Sequence, residues 1–199
     1  MIVVGITGAS GVILGIRLIE TLLDAGREAA AVVTDAGWKV ISHEMGSDAA
    51  ADKSVASILE ARGNAGDLSL LKEYANDDYT SPAASGTGRV EAVVVAPCSM
   101  KSLAAVAHGY ADSLLHRACD VALKERKKCV LVPRETPLGL LHVENMRSVL
   151  LSGGIIVPPV PAFYTYPKTV EDIIDFITGK ILNTLDIPHS LFEAWGSDR

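Results

Sequence analysis

Three strand-to-helix junctions carry the residues of this chain best suited to chemistry. At the first, Gly8-Ala9-Ser10-Gly11 follows the β-rich run Ile2 to Thr7 and precedes an amphipathic stretch. Such a turn sets backbone N–H groups and the Ser10 hydroxyl beside a helix N-terminus, a seat for a phosphate or the edge of a planar ring. Gly5, Gly8 and Gly11 do not match G-x-G-x-x-G, and there is no Walker Lys-Ser/Thr. The glycines also suit a tight turn and close packing with no ligand at all. A dinucleotide site favours an acid near the end of the second strand; Asp35 could serve, but Thr34 is better placed. At the second junction, in Pro97-Cys98-Ser99-Met100-Lys101, Ser99 can cap the next helix or hold a phosphate with the adjacent N–H groups. Cys98 has no histidine near it in sequence to serve as a base, which disfavours a nucleophile.

The third junction is Arg134-Glu135, straight off an apolar run and before Thr136-Pro137. The pair either salt-bridges to neighbours or lines a site, where burial would raise Glu135 toward proton-exchange range. Arg117 and Lys124 share a helix face with Asp120 between them, which reads as a surface ion ladder or as the border of an anion cleft. Phe163 to Pro167 puts aromatic rings on a loop, against a ligand, a partner subunit or a small core of their own. The histidines at 43, 108, 116, 142 and 189 are scattered, and with no H-E-x-x-H and no Cys/His cluster no metal site is expected.

The elements that must position these residues follow from periodicity. The opening reads strand (2–7), glycine turn, helix (12–25), strand (29–34) and helix (35–44), the start of a doubly wound domain. Residues 46–89 are irregular, with a helix at 54–62 and loops at 63–66 and 82–88. Beyond them come strands at 90–96, 129–133 and 155–157 and helices at 99–106, 112–126, 143–151 and 170–185. The expectation is an α/β, Rossmann-like (flavodoxin-like), three-layer fold with a mainly parallel sheet. It forms a single domain over 1–199, with 186–199 as a C-terminal tail. Ligands on such a sheet sit beyond the strand C-termini, where all three junctions fall.

At 199 residues one sizeable core is expected. A composition 49% hydrophobic and only 21% charged, with mean hydropathy +0.29, fits a sheet buried on both faces and a homo-oligomer. No apolar run reaches the roughly 20 residues of a membrane span, and Ile2 to Thr7 reads as a strand, not a signal peptide. A net charge of −6 argues against a nucleic-acid partner. Cysteines at 98, 119 and 129 lack disulfide or zinc spacing, so reduced thiols and a cytoplasmic setting are expected.

Six segments together resemble the UbiX-like flavin prenyltransferases. They are Gly8 to Gly11, Pro97 to Lys101, Arg117 through Lys124-Glu125-Arg126, Val132 to Glu135 with Pro137, His142 through Glu144-Asn145-Met146, and Pro158 to Tyr164. The resemblance spans nearly the whole chain in order and spacing. It implies metal-independent transfer of a dimethylallyl group from dimethylallyl monophosphate to N5 and C6 of reduced FMN. The products would be phosphate and prenylated FMN, the latter passing to a UbiD-like decarboxylase. It also implies a homododecamer with active sites between subunits. Gly8, Ala9, Ser10, Gly11, Thr34, Ser85, Gly86, Ser99, Met100 and Arg117 are similar to FMN-contacting residues. Lys124, Arg134, Tyr164 and Lys180 are similar to the prenyl-phosphate clamp. Glu135, Ser10, Glu44, Lys124 and Arg117 are similar to the catalytic set. Position 180 departs from the family pattern, having Lys where Arg is usual, so a bidentate fork becomes a point charge.

Two other readings share the fold: an FMN-dependent cysteine decarboxylase and a non-catalytic FMN delivery protein. The first uses a histidine after the first helix, for which Trp38-Lys39 and His43 give no clear equivalent. The second has no need of Lys124, Arg134, Glu135 and Tyr164 together. The glycine spacing leaves a nicotinamide dehydrogenase further off.

Overall fold

Strands β1 (Ile2–Ile6), β2 (Ala29–Val33), β4 (Ala92–Cys98) and β5 (Lys128–Pro133) are buried at nearly every position, as unbroken apolar runs demand. The computed structural model describes residues 1–63 and 66–193. With β3 (Leu71–Tyr74) and β6 (Ile155–Ile156) these strands form one six-stranded sheet in the order β3-β2-β1-β4-β5-β6, every pairing parallel. The expected Rossmann-like sheet is therefore present, and its winding reverses between β1 and β4.

Among the described residues seven α-helices accompany the sheet: α1 (Ile13–Asp24), α2 (Asp35–Met45), α3 (Val55–Arg62), α4 (Met100–Ala107), α5 (Leu114–Lys124), α6 (Leu140–Leu151) and α7 (Val170–Thr184). The period-two alternation of strand side chains assigns the faces. Val4, Ile6, Ala31, Val94 and Val130 meet α1, α2, α3 and α7. Val3, Val32, Val95 and Leu131 meet α4 and α5. Helix α6 hardly joins the core, since Val149 is its one buried residue.

Four differences from the sequence reading have physical causes. Residues 46–89 are not structureless: Leu71-Lys72-Glu73-Tyr74 adds an edge strand whose two exposed charges hide its strand character. The strand expected at 90–96 runs Ala92–Cys98 and contains Pro97, because the β4–β5 register shifts between Val95 and Cys98. The Pro97 carbonyl instead accepts from the Thr7 hydroxyl at 2.7 Å. Helix α6 starts three residues early, where the Gly139 N–H donates to His142 Nδ1 at 3.1 Å. Of the expected tail, Ile187 is buried against the core and Asp186 pairs with Lys128; residues 194–199 lie outside the described residues.

Candidate functional site

The reversal between β1 and β4 opens a crevice at their carboxyl ends, flanked by Gly8–Gly11 on one side and Pro97–Lys101 on the other. Thr7 ties the two walls: its hydroxyl donates to the Pro97 carbonyl and accepts from the Ser99 N–H at 2.8 Å. Thr7 is 1% exposed, and the sequence reading passed over it as the last residue of a strand. Ser99 caps α4 by accepting from the Ser102 N–H at 3.3 Å. The Met100 and Lys101 N–H groups in that first turn have no intrahelical acceptor by position and point out of the helix end. Thr34 caps α2, accepting from the Gly37 N–H at 3.0 Å.

The glycine turn holds an anion, and it is the chain's own. The Glu44 carboxylate accepts from the Gly11 N–H at 3.0 and 3.1 Å and from the Val12 N–H at 3.1 Å. A carboxylate there complements the amino end of α1. The expected phosphate seat is thus corrected in part, since the Gly11 amide of the turn and the Val12 amide after it already have their acceptor. Gly11 has φ +95°, a conformation that makes this cradle accessible to glycine and strained for other residues. Ser10, half-buried, makes no hydrogen bond with the described residues. Gly8 packs its Cα face on Ala36, where a Cβ would come to 2.5 Å of the Ala36 Cβ.

Arg134 and Glu135 leave β5 beside the same crevice, the Arg134 N–H donating to the Cys98 carbonyl at 3.1 Å. Both side chains are exposed. The burial expected to tune Glu135 is therefore not supplied by one chain, and its carboxylate accepts from the Thr136 N–H at 3.0 Å.

Other expected residues lie elsewhere. Helix α5 begins at the carboxyl end of the sheet, where the Leu114 N–H donates to the Asn76 carbonyl at 2.7 Å just past β3. It ends where β5 begins, at the amino end of the strands. Eleven residues at ~1.5 Å each carry Lys124 about 16 Å down that axis, away from the crevice. Arg117 donates to the Ala84 carbonyl at 3.2 Å and pairs with Asp120 at 2.7 Å, one rung of the expected ion ladder, while Lys124 pairs with Glu125 at 3.7 Å and not with Asp120. Gly86 lies against Glu125, whose carboxylate a Cβ would meet at 2.5 Å. Ser85, Gly86, Arg117 and Lys124 thus form a second group, and Lys124 lines a cleft of about 470 Å³ between α4, α5 and α6. Tyr164 and Lys180 belong to a third, at the β6 edge. Tyr164 sets its ring edge-on to Phe176 at 6.0 Å, and Lys180 borders an apolar hollow of about 290 Å³ with Val157, Phe176 and Ile177. One chain does not bring the expected phosphate clamp together.

A second polar chain was also missed from sequence. Ser102 and His116, both buried, link Ser99 to Asp112. Cys98, Cys119 and Cys129 are free and buried, and burial pushes the Cys98 thiol far above its ordinary pKa, so a thiolate nucleophile there is disfavoured. Among the described residues no His/Cys/Asp/Glu group has metal-binding geometry, and no helix is long and apolar enough to cross a membrane.

Comparison with known proteins gives the geometry its context. The Flavoprotein family matches residues 1–182. The flavin prenyltransferase UbiX of Methanocaldococcus jannaschii is 44% identical over 98% of both chains. That of Pseudomonas aeruginosa is 39% identical over 98% of this chain and 93% of its own. Among solved structures, AnUbiX in complex with FMN and dimethylallyl pyrophosphate superposes with a TM-score of 0.86 at 37% identity, covering 100% of this chain and 98% of that one. A dodecameric FMN-dependent UbiX-like decarboxylase from Escherichia coli O157:H7 gives 0.85 at 34% identity, covering 98% and 99%. The FMN-dependent cysteine decarboxylase TvaF gives 0.53 at 14% identity over 78% of this chain, a likeness of fold alone.

Proposed function

The chain belongs to the UbiX-like flavin prenyltransferase family, and on that premise we propose that it joins a dimethylallyl group from dimethylallyl monophosphate to N5 and C6 of reduced FMN, releasing phosphate and prenylated FMN. The observation that carries the reading is its end-to-end match to a protein whose crystal holds both FMN and a dimethylallyl donor. The crevice fits a flavin on its own terms. Ser10 in the flanking turn has a hydroxyl without a partner among the described residues, the α4 and α2 amino ends flank it, and Gly8 lets the backbone come close. Because Glu44 holds the Gly11 and Val12 amides, the phosphate of FMN falls to other donors, for which Thr34, Ser99 and Met100 are the candidates.

Reduced FMN supplies the nucleophilic atoms, and the chain supplies charge and orientation. Arg134, Lys180, Lys124 and Tyr164 bind the prenyl phosphate and stabilise the charge that grows on it as the allylic C–O bond breaks. Arg117 holds the substrates in register. Glu135 and Ser10 move a proton at the crevice mouth, and released phosphate takes the last one. Since the three groups are separate within one chain, the working site is completed by neighbouring copies. An exposed apolar α6 supports this, as does the dodecamer of the Escherichia coli relative. Prenylated FMN then passes to a UbiD-like decarboxylase in the cytoplasm, a setting that three reduced thiols suit.

The test is anaerobic incubation of the protein with FMN, dithionite and dimethylallyl monophosphate, followed by mass analysis of the flavin. A flavin heavier by one prenyl unit is expected. Tight FMN binding with an unchanged flavin mass would replace this reading with a delivery protein.

A further inference from the structure

Main-chain pairing between β1 and β4 stops short of the crevice. The ladder ends at Gly5 and Val95, and beyond it stands Pro97, which has no N–H to donate. On the other side of β4 the register to β5 shifts between Val95 and Cys98, so regular pairing fails there too. The segment leading into α4 is fixed instead by Thr7. Its N–H reaches the Pro97 carbonyl at 3.3 Å and its hydroxyl donates to the same oxygen at 2.7 Å. Its Oγ1 accepts from the Ser99 N–H at 2.8 Å.

The hydroxyl is thus committed within the protein as donor and as acceptor, and at 1% exposure it does not face a ligand. What it sets is the start of α4. Ser99 is the N-cap of that helix, so a bond on the Ser99 N–H holds the residue from which the first turn springs. The Met100 and Lys101 N–H groups follow at once, without intrahelical acceptors. Of the three helix amino ends at the crevice, this one suits an added anion best. The α1 end already holds the Glu44 carboxylate, and α2 carries Asp35 in its first turn. The first turn of α4 has no acid and carries Lys101.

We propose that Thr7 is a positioning residue of the flavin site: it sets the amino end of α4 to take the phosphate of FMN, and so makes the chain select FMN over riboflavin. The inference rests on the reading that the FMN phosphate falls to Ser99 and Met100. It adds to that reading the residue that aims them, one that touches neither the flavin nor the prenyl donor.

The experiment measures dissociation constants of FMN and of riboflavin by flavin fluorescence on the assembled protein, with Thr7→Val and Thr7→Ser beside the parent. Thr7→Val keeps the shape and leaves the Ser99 N–H without its acceptor. It should bind FMN about tenfold more weakly, the worth of a misaligned bond to a charged group, and riboflavin within about twofold of the parent. Thr7→Ser keeps the hydroxyl and should recover most of the FMN affinity. A purely structural threonine would lower Tm and move both flavins together, or move neither. Either of those results overturns the proposal, as does Thr7→Ser behaving like Thr7→Val. Should Thr7→Val fail to fold, Thr7→Cys makes the same comparison, since a thiol keeps the place and bonds weakly. A parent that binds riboflavin as tightly as FMN would overturn the phosphate reading itself, and that failure shows before any variant is made.

Discussion

Glu135 stands at the end of β5 with its carboxylate in solvent and one N–H bond from Thr136. Its substitution by Gln keeps that bond and the side-chain shape while removing the exchangeable proton. Glu135→Gln should therefore bind FMN as the parent does and lose at least ~100-fold in turnover, the usual worth of a positioned proton donor; equal turnover would remove it from the reaction. Lys180 poses the complementary question. It keeps the charge but not the planar fork of the family's usual Arg, and it borders an apolar hollow where a prenyl tail would fit. Lys180→Ala should raise KM for the prenyl donor with little change in FMN affinity, and Lys180→Arg should restore it. If Lys180→Ala leaves KM unchanged, the clamp does not include this position. At this scale the sequence made legible the residues that sit at junctions, because glycine, proline and paired charges there disobey core chemistry. Thr7, Ser102 and His116 were illegible, since each reads alone as an ordinary strand or helix residue and acquires meaning only across the β1–β4 crevice and the α4–α5 contact. Glu44 was reached only through family resemblance; nothing in its helix announces that it closes on Gly11 from 33 residues away.

Helix α1 owes its position to a residue without a side chain. A Cβ at Gly15 would lie 2.2 Å from the Ala96 carbonyl and 2.7 Å from Ile6 Cγ1, so the helix rests directly on the β1–β4 junction. Gly15→Ala gains helix propensity, worth ~1 kcal/mol, but must displace backbone, a strain of about 1–3 kcal/mol. The net expected outcome is a lower Tm together with weaker FMN binding, because the crevice wall moves with the helix. A rise in Tm would mean that the contact relaxes freely. The same helix is pinned on its far side by Glu20, fully buried and bonded to Arg62 of α3 at 2.6 Å and Arg17 at 3.3 Å, with Arg17 bonded in turn to Asp175 of α7 at 2.7 Å. Glu20→Gln takes the counter-charge from Arg62, while Arg17 keeps Asp175, and should cost roughly 2–3 kcal/mol in denaturant unfolding. A loss below ~0.5 kcal/mol would mark the network as idle. Elements with strong periodicity were legible: β1, α1, β2, β4, β5 and α7 lie within a few residues of where their apolar spacing puts them. Edge strand β3 was not, because a short strand with two exposed charges in its middle resembles loop sequence. The start of α6 was hidden for another reason, since its first turn is held by a His142 ring nitrogen and not by a serine or aspartate cap.

The whole molecule leaves an unusual amount of apolar surface uncovered. Leu140, Leu141, Leu150 and Leu151 of α6 are 75%, 78%, 55% and 72% exposed, and Val160, Phe163 and Tyr166 on the loop beyond β6 are 66%, 71% and 83% exposed. A helix with one buried residue in twelve has no reason to fold against its own chain, and apolar patches of this kind on a folded protein mark contacts with other chains. This surface explains the hydrophobic composition better than the core alone, and it lies beside the cleft that contains Lys124. On the proposed function, assembly and catalysis are one problem: that reading has the Ser85–Gly86, Arg117 and Lys124 group of one copy complete the crevice of another. Leu141→Glu with Leu151→Glu places two charges on α6 without touching the core, so the monomer should keep its circular dichroism while light scattering reports a smaller particle. Prenyl transfer should fall by at least ~100-fold as the positive donors leave the site, and FMN should bind more weakly through loss of Ser85 and Gly86. The two readouts must move together. A dissociated protein with parental turnover would show that each chain carries a whole site, and the separation of Lys124 from Arg134 within one chain would then need another explanation.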